Sequence, residues 1–281
     1  MKILLNKIKN NKIYCIICLI SVLILIYCLS HNNLVEKFDI EDKVLYNRYR
    51  LREYAKNKKN LELIEPKELE NYVDNILPNK KLPIILIISG DPGPHSCISP
   101  KNYKNFLENK NIIHCFAENW FDKLYNKLTI LPCGTESKIM IGEKKHQEKE
   151  LLKISNKILD LKNKNDNMIL CNSHLKLFNN PLSGTIGNPR KEMYNILKNR
   201  EYIHFWKERK PHIETWKLHK NYSYELCPEG NALDTHRFYE AILLNTIPIV
   251  IKNSLEPLYR LFPCIILDKW EEIEDEKGVI F

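Results

Sequence analysis

The sequence predicts an alternating α/β chain in two lobes, preceded by one N-terminal transmembrane helix. Three observations carry that prediction. Ile13 to Ser30 is an uncharged run close to the N-terminus. From Lys81 onward, short segments rich in Ile, Leu and Val alternate with helical ones. The same rhythm restarts after a charged amphipathic stretch, Lys144 to Lys164, that bridges the halves.

The anchor comes first. IYCIICLISVLILIYCLS, residues 13–30, spans roughly 27 Å as a helix, against a hydrocarbon core of about 30 Å. Tyr14 and Tyr27 fall near the two interfaces, where amphipathic rings belong. Lys2, Lys7, Lys9 and Lys12 precede the run, whereas residues 36–43 mix acids with bases. The positive-inside rule therefore makes residues 1–12 a cytoplasmic tail and places everything after about residue 31 across the membrane. A cleaved signal peptide is the rival reading. The run is long for one, and Tyr27-Cys28-Leu29-Ser30 is a poor cleavage site.

Composition narrows the classes. The 281 residues are 44% hydrophobic and 28% charged, ordinary for a globular chain. The formal charge of +8 comes with clusters such as Lys56, Lys58 and Lys59, or Lys144 and Lys145, that lack interleaved aromatics. That argues against a nucleic-acid partner. Cys97, Cys115, Cys133, Cys171, Cys227 and Cys264 lie beyond the anchor, either as disulfides or as buried thiols. There is no Cys-x-x-Cys among them, so no zinc site is expected.

Residues 31–78 read as a charged, mainly helical stem, with Pro66 starting a helix. The first lobe, 79–165, opens with a strand over 82–89 that ends in the turn Gly90-Asp91-Pro92-Gly93-Pro94. A helix over 102–109 and strands over 111–117 and 128–132 follow. The second lobe, 166–281, reads as strands over 167–172, 224–227, 247–251 and 264–267. Helices over 189–198, 234–244 and 255–262 alternate with them, and a last helix begins at Trp270. Two Rossmann-like lobes of this kind place a cleft facing the carboxyl ends of their strands.

The chemistry concentrates between Tyr222 and Asp268. A strand ends at Cys227, a polar loop runs from Pro228 to Leu233, and Asp234 or Thr235 can cap the next helix. That order aims free N–H groups out of the sheet, where a phosphate can bind. Arg237 falls in the first turn, where a cation opposes the helix dipole and makes sense if an anion sits there. Its planar fork suits phosphate oxygens. Glu240 is one helical step on and can accept both hydroxyls of a ribose. The alternative is an Arg237–Glu240 surface pair, though base-before-acid is the weaker order.

Cys227 to Val250, CPEGNALDTHRFYEAILLNTIPIV, resembles the C-terminal signature of exostosin-like glycosyltransferases and of the related ribitol xylosyltransferase group. CFAEN at 115–119, LPCG at 131–134 and Asn188-Pro189-Arg190 are upstream echoes, so the likeness covers about 82–272. It implies a GT-B fold, a nucleotide-sugar donor on the second lobe and a glycan or glycoprotein acceptor on the first. On that likeness Arg237 contacts the donor diphosphate, Glu240 the ribose, and Gly230 lets the backbone approach the phosphates. Asp234, Thr235 and His236 complete the donor site. The family usually has Gly where Asn245 ends the helix, and the chain ends at Phe281 without the long closing helix of many such enzymes.

No Asp-x-Asp occurs, so no metal cofactor is expected and the leaving diphosphate falls to Arg and helix N–H groups. The resemblance implies inverting displacement, which needs a general base; by location at strand ends the candidates are Asp91, His95, Glu118 and His174, with Asp91 and Glu118 first. The expectation is a type II membrane glycosyltransferase with its catalytic domain in the Golgi or ER lumen. A fucosyltransferase-like GT-B enzyme and an inactive membrane-anchored glycan-binding module are the alternatives.

Overall fold

The computed structural model describes residues 51–52, 55–56, 58, 60–90, 97–120, 126–135, 147–159, 164–173, 187–206 and 211–273. The expected anchor, 13–30, lies outside them. Among the described residues no helix is long and apolar enough to cross a membrane.

Two wholly parallel sheets organise the chain. The first holds β1 (Leu61–Ile64), β2 (Ile84–Ile88), β3 (Ile112–Glu118) and β4 (Leu128–Leu131), in that order. A helical run over 66–79 (α1) joins β1 to β2, and α2 (Pro100–Glu108) joins β2 to β3. Ser99 caps α2 by accepting from the Asn102 N–H, and Pro100 occupies the first turn, where its missing N–H costs nothing. α3 (Gln147–Leu159) leads to the second sheet.

That sheet holds β5 (Asn165–Cys171), β6 (Ile203–Phe205), β7 (Tyr222–Leu226), β8 (Ile247–Ile251) and β9 (Ile265–Leu267), in the order β6-β5-β7-β8-β9. Its helices are α4 (Pro189–Leu197), α5 (His212–Leu218), α6 (His236–Leu243) and α7 (Glu256–Tyr259), with a 3-10 turn at Trp270–Ile273. Each sheet is compatible with a Rossmann-like lobe. In the second, the chain leaves β5 for β6 on one side and returns to β7 on the other. The carboxyl ends of β5 and β7 are therefore the topological switch point, the usual ligand crevice of an open α/β sheet.

Four elements differ from expectation. β1 falls inside the stretch read as stem, yet pairs with β2 from Leu61↔Ile85 to Ile64↔Ile88. β6 and α5 were not foreseen. The helix expected at Trp270 is, within the described residues, a single 3-10 turn.

Burial follows the strand period of two. In β2, Ile84, Leu86 and Ile88 join the largest apolar cluster, while Ile85 and Ile87 pack on the opposite face with Phe116 and Leu131. That largest cluster runs from one sheet to the other. Trp120, Cys133 and Phe106 from the first half meet Phe238, Tyr239, Tyr259 and Val250 from the second. α6 is thus an interface helix as well as a cover for its own sheet. At its far end Asn245 adopts φ 56°, the left-handed stop that Asn tolerates in place of Gly. Lys164 Nζ donates to the carbonyls of Leu244 (3.0 Å) and Asn245 (2.7 Å), a cation at the negative end of the helix. None of the six described cysteines is in a disulfide.

Candidate functional site

β7 delivers the chain to the switch point and the Pro228–Leu233 loop turns it into α6. Two arginines converge there. Arg237 reaches back to the end of β5: Nε donates to Asn172 Oδ1 at 2.5 Å, Nη1 to Ser173 Oγ at 3.3 Å and Nη2 to the Asn172 carbonyl at 3.4 Å. Arg190, from the first turn of α4, donates through Nε to the Glu229 carbonyl at 3.1 Å. Burial, and then the repulsion of Arg237, draw Arg190 down to about 10, so its guanidinium stays charged at neutral pH.

Gly230 explains how they come together. A Cβ there would lie 2.6 Å from Arg190 Nη2, below any tolerable contact. The Gly230 N–H meanwhile donates to the Ala232 carbonyl at 3.0 Å. The missing side chain therefore makes room for a guanidinium, where the resemblance had it admitting phosphates to the backbone.

Under Arg237 lies Glu225 of β7, with no solvent exposure. Its Oε1 is 3.4 Å from Arg237 Nε and its Oε2 is 3.2 Å from His219 Nδ1, but neither oxygen completes a hydrogen bond. Burial pushes this carboxyl up to about 8 against the pull of Arg237. Burial draws His219 down to about 3, so the imidazole is neutral at physiological pH.

Arg237 and Glu240 are neighbours on α6 but do not pair; among the described residues no ion pair joins them. Glu240 Oε2 accepts instead from the Trp216 indole of α5 at 3.0 Å. One such bond fixes the carboxylate and leaves acceptor capacity for a hydroxyl pair.

The rest of the predicted donor set works between the halves. Asp234 is 4% exposed, and its Oδ2 accepts from the Cys133 N–H (2.8 Å) and the Tyr239 hydroxyl (2.7 Å). Its own N–H donates to Asn119 Oδ1 at 2.9 Å. Burial raises its pKa and those bonds oppose the shift. His236 Nδ1 lies 2.7 Å from the Gly134 carbonyl, so that nitrogen carries the proton. Thr235 occupies the N-cap position of α6 without a side-chain cap bond.

Of the base candidates, Asp91, His95 and His174 lie outside the described residues. Glu118 is fully buried, with Oε1 accepting from Ser89 Oγ (2.8 Å) and Oε2 from the Gly90 N–H (3.2 Å). Gly90, at φ 140°, adopts a conformation closed to other residues. Glu118 thus braces the chain just past β2, at Ser89 and Gly90. Among the described residues no group of His, Cys, Asp and Glu could hold a metal ion.

Arg190, Glu225 and Trp216 are the residues sequence reasoning did not assign. Arg190 had a readable signal: like Arg237, it is a cation in the first turn of a helix, against the dipole. No family model matches this chain and no curated protein matches it.

Proposed function

We propose that the chain is a membrane-anchored glycosyltransferase of GT-B type, with its nucleotide-sugar donor on the second lobe. The observation that carries this is the convergence of Arg190 and Arg237 at the switch point between β5 and β7. Two part-buried cations that repel each other cost stability unless an anion joins them, and a diphosphate is the anion such a fork pair fits. Glu240, fixed by Trp216, takes the ribose. The acceptor, a glycan or glycoprotein, sits on the first lobe.

In the transfer, the acceptor oxygen attacks the anomeric carbon from the face opposite the diphosphate. The carbon–diphosphate bond breaks, its electron pair goes to the terminal phosphate oxygen, and the arginines absorb that charge. The acceptor proton passes to a carboxylate, for which Asp91 is the candidate. No metal is required in this scheme. The segment 13–30 anchors the chain with its catalytic part in the Golgi or ER lumen.

Thermal unfolding with UDP, GDP and CDP tests the reading. One nucleotide at a hundred times its dissociation constant should add about 2.7 kcal/mol of stability, a shift of several degrees. No shift with any nucleotide would sink it. A second reading, an inactive binding module, draws on the commitment of Glu118 to Ser89 and Gly90. It predicts nucleotide binding without donor hydrolysis.

Gly230→Ala gives a sharper result. The new methyl displaces the Arg190 guanidinium. Affinity for the stabilising nucleotide should fall about tenfold, one charge-assisted bond's worth, with the melting temperature of the free protein nearly unchanged. Unchanged affinity would remove Arg190 from the site.

A further inference from the structure

Glu225 is a carboxyl buried under the arginine that the proposed function assigns to the diphosphate, and no hydrogen bond holds it there. A purely structural acid in such a place would be satisfied by donors, since an unsatisfied buried carboxyl costs stability. We propose that Glu225 is a positioning residue that exchanges a proton with solvent as the anion arrives: ionised, it holds the Arg237 guanidinium toward the sheet, and protonated, it releases that charge to the diphosphate.

The groups facing it support this assignment. Arg237 and Glu240 come from α6, Lys164 from the start of β5 and His219 from the turn before β7. The Cys227 and Cys171 thiols close the nook, both held neutral by burial. Lys164 is occupied by the carbonyls at the end of α6, and His219 is kept neutral by burial. Among the described residues, Arg237 alone touches both Glu225 and the mouth of the site, through Asn172 and Ser173. A negative ligand on Arg237 competes with an ionised Glu225 for one positive charge. Binding must then favour the protonated acid, and linkage demands that protonation favour binding.

The inference rests on the diphosphate reading, and calorimetry separates the two. The full chain in detergent micelles is titrated with UDP, GDP, CDP and inorganic pyrophosphate at about pH 8.5, in two buffers of different ionisation enthalpy. The phosphates of free nucleoside diphosphates are already fully ionised there, so a proton taken up on binding one of them belongs to the protein; pyrophosphate still carries part of its last proton and reports affinity alone. The expected result is uptake of a substantial fraction of one proton. Affinity should fall by up to about tenfold per pH unit above the Glu225 midpoint of about 8. Glu225→Gln keeps the shape and cannot ionise, so it should bind with no uptake and a flat pH profile. Should that variant not fold, the Glu225 carboxyl carbon in the wild-type protein, followed by NMR, must show a titration midpoint that rises when pyrophosphate is added. Binding without proton uptake, or uptake that persists in Glu225→Gln, overturns the inference and leaves the diphosphate site standing. Binding of none of the four anions overturns both.

Discussion

Arg237→Ala should weaken nucleoside diphosphate binding about a hundredfold while leaving the protein folded at neutral pH. The affinity loss follows from removing a two-pronged charged donor from a part-buried anion site, worth roughly 2–5 kcal/mol. Survival of the fold follows from the layer beneath. Burial holds Glu225 near a pKa of about 8, so at pH 7 the acid keeps its proton and no naked buried charge is left behind. The two effects should therefore separate with pH. Without Arg237 to favour the ionised form, Glu225 keeps its proton to higher pH than in the wild type, so above pH 8 the variant's stability should go on falling where that of the wild type levels off. Arg237→Lys returns the charge without the planar fork and should recover only part of the affinity. Arg260→Ala is a control, because that guanidinium pairs with Glu256 on the surface. Isothermal titration of each variant checks the series. A loss of less than threefold in Arg237→Ala would disconnect this arginine from the ligand.

Asp234→Ala should be the most destabilising single change at the site, by about 3–5 kcal/mol out of a typical total of 5–15. The substitution strands the Cys133 N–H, the Tyr239 hydroxyl and the Thr235 N–H, all donors that the carboxylate now accepts. Asp234→Asn should cost less, about 1–3 kcal/mol. Its carbonyl can replace Oδ2 toward Cys133 and Tyr239, but its amide then meets the Thr235 N–H donor to donor. Urea unfolding followed by tryptophan fluorescence measures both. An Asp234→Ala variant within 1 kcal/mol of the wild type would mean that solvent replaces these bonds, and the site would have to be rebuilt around a mobile α6.

Most of the framework was legible because its signals were local. Ile247–Ile251 is a strand over the residues its Ile-Pro-Ile-Val-Ile run indicates. Asn188 followed by Pro189 marks the start of α4, while α2 begins at Pro100, ahead of the expected 102. β1 was missed because Leu61-Glu62-Leu63-Ile64 is a four-residue edge strand among charges, and only its pairing with β2 makes it a strand. β6 is three residues long and α5 seven, too short for a period to show. At the site the outcome divides along the same line. Arg237 stood out because its conflict with the helix dipole is written in consecutive residues. Arg190 poses the same conflict, but its partner Gly230 lies forty positions away and becomes its neighbour only through the fold. Glu225 sits mid-strand among buried residues on both faces, so alternation could not say what it meets. The same residue types in Asp234 and Glu118 turned inward to backbone donors, which no motif distinguishes from a ligand contact.

The apolar cluster that runs through both sheets bears on how the molecule can be taken apart. Because Trp120 and Cys133 share their packing with Phe238 and Tyr259, a chain severed between 159 and 164 would leave each fragment with an oily, water-exposed wound. Neither piece is a portable module. They should denature in one calorimetric peak, and grafting either onto a foreign counterpart should yield insoluble material unless the matching surface travels with it.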